Sequence, residues 1–232
     1  MAAPGTAETH ATHRSRLVIT IDGPAGAGKT TVSRMLARRL AYRYLDTGAL
    51  YRAVAFAVRR DRVAPDNNDA LADLLGRVRI TLADQRLLLD GVDLGDRIRT
   101  PEITMLASAV SARPVVRRFL MGVQRAMGRE KGAVFEGRDM GTVVFPDADV
   151  KFYLDAPEKI RAMRRFLELR PKTELTFEEV ERDLLRRDRN DSTRTEAPLK
   201  PAGDAIRIDS ADLAPAQVVA VMLGHIERLA EN

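Results

Sequence analysis

Residues 23–30 read Gly23, Pro24, Ala25, Gly26, Ala27, Gly28, Lys29 and Thr30, one residue behind the apolar run LVITI (17–21) and one residue ahead of VSRMLARRL (32–40). The spacing G-x-x-x-x-G-K-[ST], set between a short β-branched run and a helical pattern, is that of a phosphate-binding loop, or P-loop. Glycines let the backbone curl until successive amide hydrogens converge, and the helix that follows aims the positive end of its dipole at the same point. A polyanion site is the consequence. Lys29 is placed to reach the outer phosphates, and the Thr30 hydroxyl to ligate the magnesium ion that accompanies ATP. Pro24, Ala25, Ala27 and Thr31 complete the stretch expected to bind ATP.

Outward from this loop the same rhythm repeats. YRYL (42–45) precedes Asp46, Thr47 and Gly48, and ALYRAVAFAVRR (49–60) carries apolar residues at helical spacing. AVFE (133–136), DVKFYL (149–154) and AIRI (205–208) are again short, β-branched or aromatic, and separated by helical stretches. Five such runs alternating with helices predict a three-layer α/β/α fold with a five-stranded parallel sheet. One stretch departs from the rhythm: RVRITLADQRLLLDGVDL (77–94) alternates polar and apolar residues around a turn at Asp90 and Gly91. A small antiparallel insert over residues 66–100 is expected, ending just before Pro101, which suits a first helical turn. The core domain then comprises 16–65 and 101–232, behind a flexible tail at 1–15.

A length of 232 residues fits one core domain with an insert, and is short for two independent units. Hydrophobic residues at 45% and charged residues at 31% set the chain apart from disordered and fibrous sequences. The lack of cysteine excludes disulfides, thiolate metal sites and thiol chemistry, and fits a reducing compartment. No apolar run approaches the ~20 residues that cross a bilayer. Residues 1–15 have no signal-peptide core, so a cytoplasmic protein with no membrane partner is expected. His10 and His13 fall in the tail, and His225 has no carboxylate at metal spacing, so none is expected to be a ligand. The net charge of +5 and pI near 9.8 suit nucleic acid, an anionic membrane or small phosphorylated ligands, and charge alone does not choose.

A P-loop specifies a nucleotide and not a reaction. The chain has no N-K-x-D or T-K-x-D segment, which disfavours a guanine-nucleotide switch. After the second strand, Asp46, Thr47 and Gly48 open a helix, with Arg52 one turn beyond Gly48. This turn either holds a phosphate or is an ordinary N-cap with Arg52 in solvent. Gly137, Arg138, Asp139, Met140 and Gly141 form a charged turn behind AVFE, where open α/β sheets place ligands. A local ion pair or a turn cap is the alternative there.

Taken together, GPAGAGKTT (23–31), LDTGALYR (45–52), FEGRDMGTVVFPDA (135–148) and RRDRNDSTRTEAPL (186–199) closely resemble the bacterial cytidylate kinases, over about residues 17–229. FEGRDMGTVVFPDA is the most telling piece, because generic nucleotide and shikimate kinases carry the loop without it. The resemblance implies transfer of the terminal phosphate of ATP to CMP or dCMP. It implies that Ser108, Arg117 and Asp139 read cytosine and that Arg52, Arg138 and Arg187 hold the CMP phosphate, with Asp46 and Thr47 in the same substrate site. By the same resemblance Asp191 meets the sugar hydroxyls and Arg194 lies near the transferring phosphate, with Lys29, Arg187 and Arg194 as the catalytic set. Spacing alone leaves open a helix laced with Asp–Arg ion pairs over RRDRNDSTR. Arg161, Arg164 and Arg165, followed by LRPKTELT (169–176), look like the lid that folds over ATP in similar kinases, here about 157–190.

Phosphoryl transfer asks mainly for alignment and neutralised charge, so many arginines and one lysine suffice without a protein nucleophile. A kinase acting on UMP or shikimate is the nearest rival, against which Ser108, Arg117 and Asp139 speak. A nucleic-acid-binding ATPase module is the rival from another class; aromatic residues make only 5% of the chain, too few for stacking platforms, and no nucleic-acid partner is expected. A monomer acting on small molecules is the expectation.

Overall fold

The computed structural model describes residues 16–83, 86–171 and 173–230. The expected tail at 1–15, with His10 and His13, lies outside them. Strand β1 (Val18–Asp22) is buried along its whole length, as a β-branched run between two helix layers must be. The loop follows, then helix α1 (Lys29–Leu40), β2 (Arg43–Asp46) and α2 (Thr47–Arg60). Next come α3 (Asn68–Arg77), β3 (Ile80–Ala83), β4 (Arg86–Leu89), β5 (Val92–Asp93), α4 (Pro101–Ser111) and α5 (Pro114–Gly128). The chain ends with β6 (Ala133–Glu136), β7 (Val150–Asp155), α6 (Glu158–Leu169), α7 (Phe177–Thr193), β8 (Ile206–Asp209) and α8 (Pro215–Ala230).

The main sheet has five strands in the order β2-β6-β1-β7-β8, all parallel. Successive residues of β1 face opposite layers. Ile19 and Ile21 pack with Val32 and Leu36 of α1 and Met222 and Ile226 of α8, while Val18 packs with Leu45, Phe135 and Phe145 on the other side. The register sets the carboxyl ends level: Asp46 stands opposite Glu136, and Glu136 opposite Ile21, next to Asp22. Three carboxylates thus line one edge of the sheet beside the loop.

The stretch expected to form an antiparallel insert does so, as a three-stranded sheet β3-β4-β5 with α3 before it. Asp90 and Gly91, at φ 52° and 81°, make the two-residue turn between β4 and β5. The insert has no core of its own. Leu71, Leu74, Ile80 and Leu89 belong to one apolar cluster with Val54 and Val58 of α2, Ile103 of α4 and Leu120 of α5. Pro101 is the first residue of α4, capped by the Thr100 hydroxyl, which accepts from Ile103 N at 3.2 Å. Among the described residues no helix is long and apolar enough to cross a membrane.

Candidate active site

The phosphate loop owes its shape to two close packings. A Cβ on Gly23, at φ 148°, would lie 1.9 Å from the Leu154 carbonyl of β7, so only glycine lets the loop leave β1 there. Gly28, at φ 89°, is the left-handed residue that starts α1. Lys29 is 4% exposed, and its Nζ donates to the Pro24 carbonyl across the loop at 2.6 Å. Burial, and after it the Arg138 guanidinium, push Lys29 down to about 7, while Glu136 pulls the other way. Thr30 Oγ1 donates to Glu136 Oε1 at 2.8 Å, and the Tyr44 hydroxyl donates to Glu136 Oε2 at 2.5 Å. Thr31 is exposed on α1.

Asp22 closes β1 and holds the turn behind β6. Its two oxygens accept the Met140 and Gly141 amides at 2.9 and 2.7 Å. Burial nonetheless pushes it up to about 6, against the pull of those two donors. The turn so fixed carries Arg138 and Asp139 in different directions. Arg138 Nε donates to Asp191 of α7 at 3.1 Å, whereas Asp139 pairs with Arg117 of α5. The local Arg138–Asp139 pair that spacing allowed does not form.

The Arg117–Asp139 pair is the most buried one of the site, with side chains 9% and 4% exposed. The Arg117 guanidinium lies 5.8 Å from the centre of the Tyr51 ring, and its Nη1 donates to the Ser111 carbonyl at 3.3 Å. Burial raises the pKa of Asp139, with Arg117 opposing. Ser108 is exposed on α4 and makes no hydrogen bond to this pair; its carbonyl accepts from the Ser111 hydroxyl at 2.8 Å. A cavity of about 270 Å³ opens beside the pair, lined by Tyr51, Met121, Gln124 and Val143 among others. A larger one of about 460 Å³ lies beyond the sheet edge, between α1 and the insert, and Asp46 alone of the expected site residues lines it. Chemistry, not volume, therefore places the site.

Asp46 forms the N-cap, and Arg52 pairs with it instead of standing in solvent. Its Oδ1 caps α2 by accepting from Ala49 N at 3.1 Å, and its Oδ2 accepts from Arg52 Nη2 at 2.7 Å. Thr47 Oγ1 donates to the Glu136 carbonyl at 2.6 Å, fastening the helix start to β6. Arg187 sits among cations. Burial, then Arg138, push it down to about 10, with Arg165 and Arg52 adding to the effect. Arg194 lies 3.6 Å from Asp139 and from Asp191, and its pKa is lowered by burial and by Arg117. Arg52 Nε and Arg194 Nη2 are buried donors without a hydrogen-bond acceptor among the described residues. Crowded guanidinium groups with unmet donors favour an anionic ligand.

The family model for cytidylate kinase matches residues 19–228. The chain belongs to the cytidylate kinase family. A cytidylate kinase of Geobacter sulfurreducens is 48% identical to it over 211 residues, 89% of this chain and 91% of that protein. One from Citrifermentans bemidjiense is 44% identical over 96% of this chain and 98% of its own length. Among solved structures, shikimate kinase from Acinetobacter baumannii in complex with shikimate is similar at 19% identity and a TM-score of 0.45, covering 93% of this chain and 95% of that one.

Within this family's frame, the structure brings Lys29, Asp46, Thr47, Arg52, Arg117, Arg138, Asp139, Arg187, Asp191 and Arg194 to one side of the sheet, where hydrogen bonds and charge interactions link them. Ser108 stands at the margin. Of the arginines on α6, Arg161 turns inward to the loop, and Arg164 donates to the Ser210 hydroxyl and carbonyl behind β8 at 2.9 and 2.6 Å. Arg165, half-buried, pairs with Glu168. Sequence reasoning missed Asp22, Glu136, Tyr44, Tyr51 and Asp188. The first two had a signal, since Asp22 directly precedes Gly23 and Glu136 directly precedes Gly137.

Proposed function

We propose that this chain transfers the terminal phosphate of ATP to CMP or dCMP, yielding ADP and CDP or dCDP. The buried Arg117–Asp139 pair beside Tyr51 carries this reading. Cytosine presents an amino donor next to a ring-nitrogen acceptor, which a carboxylate and a guanidinium match. Uracil reverses both, leaving buried groups unpaired at a cost of about 1–3 kcal/mol each. Ser108, exposed on α4, is the hydroxyl assigned to the same edge. Arg52, Arg138 and Arg187 hold the acceptor phosphate above the α2 start shaped by Asp46 and Thr47, and Asp191 meets the sugar. The loop from Gly23 to Thr31 binds ATP, with Arg161 supporting the loop from behind through the Ala25 carbonyl, and an anion in the loop restores the full charge of Lys29.

An oxygen of the acceptor phosphate forms the new bond to the terminal phosphorus of ATP as the bond to the ADP oxygen breaks, so no protein nucleophile is required. Lys29, Arg187 and Arg194 offset the charge that spreads over the transferring group. Among the described residues no group of three or more His, Cys, Asp or Glu could hold a metal by itself. The Thr30 hydroxyl and the Glu136 carboxylate are hard oxygen donors that fit Mg²⁺ completing its shell with water and nucleotide phosphates. Bound there, Mg²⁺ would neutralise phosphate charge. Residues 66–100 enclose the acceptor, and about 157–190 close over ATP to exclude water. In this reading the chain acts as a cytoplasmic monomer on small nucleotides, without nucleic acid.

The test is steady-state phosphorylation of CMP, dCMP, UMP, AMP and shikimate with magnesium ATP, followed as ADP release, for the natural chain and Asp139→Ala. CMP and dCMP are expected to turn over far better than the rest, and the variant to lose the preference for CMP over UMP together with turnover. Preference for another acceptor overturns the assignment, and an unchanged CMP to UMP ratio in the variant removes Asp139 from base reading.

A further inference from the structure

Helix α7 touches both halves of the site, and Asp188 is its contact with the donor half. Asp188 Oδ1 accepts the Ala25 N–H at 3.1 Å. Its Oδ2 pairs with Arg161 Nη1, and the same nitrogen of Arg161 donates to the Ala25 carbonyl at 3.0 Å. Arg161 Nε is fixed in turn on the Ala156 carbonyl at 2.8 Å. One ion pair, with members from α6 and α7, thus grips the N–H and the C=O of a single phosphate-loop residue. Its side chains are 6% and 15% exposed, so water and salt screen it little.

The acceptor half hangs on the same helix. Arg187 is the neighbour of Asp188, Asp191 receives Arg138 at 3.1 Å, and Arg194 follows the helix end beside Asp139. The apolar hold of α7 is confined to its first half, where Val180 and Leu184 are buried and Phe177 meets Phe166 of α6 edge-on at 6.0 Å. From Leu185 to Thr193 no residue is fully buried. Polar contacts therefore decide where this second half stands, and among the described residues Asp188 supplies a hydrogen bond to the loop.

We propose that Asp188 is a positioning residue that ties the acceptor-gripping half of α7 to the phosphate loop, so that nucleotide bound on one side fixes the geometry on the other. The inference rests on the kinase reading above. In-line transfer is sensitive to such a tie, since a misplacement of ~1 Å can cost ~10²-fold in rate.

Asp188→Asn keeps the shape and an acceptor for the Ala25 N–H while removing the charge that holds Arg161. Dissociation constants for ADP, measured by titration calorimetry with and without saturating CMP, are to be compared with kcat and KM for CMP. The natural chain is expected to bind ADP about 5-fold or more tighter with CMP present, and the variant to lose that gain. Turnover should fall about 10- to 100-fold, with KM for CMP changed by about 3-fold or less. A variant with the natural coupling ratio and kcat overturns the proposal, as does a rise in KM alone or a natural chain that shows no coupling. If an unpaired Arg161 stops the variant from folding, Asp188→Asn with Arg161→Gln neutralises the pair at similar shape. Lost coupling in that double variant supports the tie, and retained coupling overturns it. A natural chain that leaves CMP unphosphorylated refutes the kinase reading instead, which keeps the two failures apart.

Discussion

Single side chains in this site are shifted chiefly by burial, and Asp22 shows the consequence most directly. Its carboxyl is pushed up to about 6 although two amides donate to it. The native form thus holds a proton that the unfolded chain, with an ordinary carboxyl near 4, gives up. Stability from this group is fully present below about pH 4 and is lost as pH rises through about 6. Denaturant titrations of the natural chain and Asp22→Asn at pH 4, 5, 6 and 7 should therefore show the natural chain losing ground to the variant over that interval. A difference that stays flat from pH 4 to 7 contradicts the assignment. The pairs around it differ in kind: Arg117–Asp139 is buried and unforgiving of losing one partner, whereas Arg186–Asp183 on the open face of α7 contributes little.

Among the elements, α7 is the one whose formation owes most to local chemistry. It buries only Val180 and Leu184, yet it opens with a full capping box. The Thr176 hydroxyl accepts from Glu179 N at 3.2 Å, and the Glu179 carboxylate accepts from Thr176 N at 2.8 Å. Thr176→Ala is expected to lower stability by about 1 kcal/mol, read as a fall in Tm of about 2–4 °C. An unchanged Tm would show that packing on α6 and the polar contacts of Asp188 and Asp191 order this helix without the cap. Helix α2 uses the same local device, and the Asp46 that caps it also anchors Arg52. Of the two readings left open in the sequence the structure shows the cap, with Arg52 held by the second carboxylate oxygen and not standing in solvent.

At the scale of the molecule, the insert and the core melt together if they share their apolar cluster. Leu71, Leu74, Ile80 and Leu89 can leave water only against Val54, Val58, Ile103 and Leu120. Each such side chain gains about 1.5–3 kcal/mol by burial, and neither side keeps that gain alone. Scanning calorimetry should show one transition with equal calorimetric and van't Hoff enthalpies. Two separated transitions would make the insert an independent unit. One cluster also constrains any movement of residues 66–100, which has to carry α2 and α4 contacts with it or slide across them.

The phosphate loop, the five strands, the hairpin at Asp90 and Gly91 and the Pro101 helix start were legible in the sequence because each is encoded locally, by period, glycine placement or a capping residue. The position behind a strand picked out Arg138 and Asp139, and family resemblance supplied Arg117 and Asp191, which periodicity could not. Partner choice among the charged residues was not legible: Arg138 reaches Asp191 rather than its neighbour Asp139, and Asp188 reaches Arg161 and Ala25 rather than an arginine on its own helix. The sequence by itself determined the elements, the loop and the kind of ligand it takes. Only the tertiary structure decided which charges meet, and how far burial moves Asp22 and Lys29, because both depend on what lies within a few ångströms across the sheet and not along the chain.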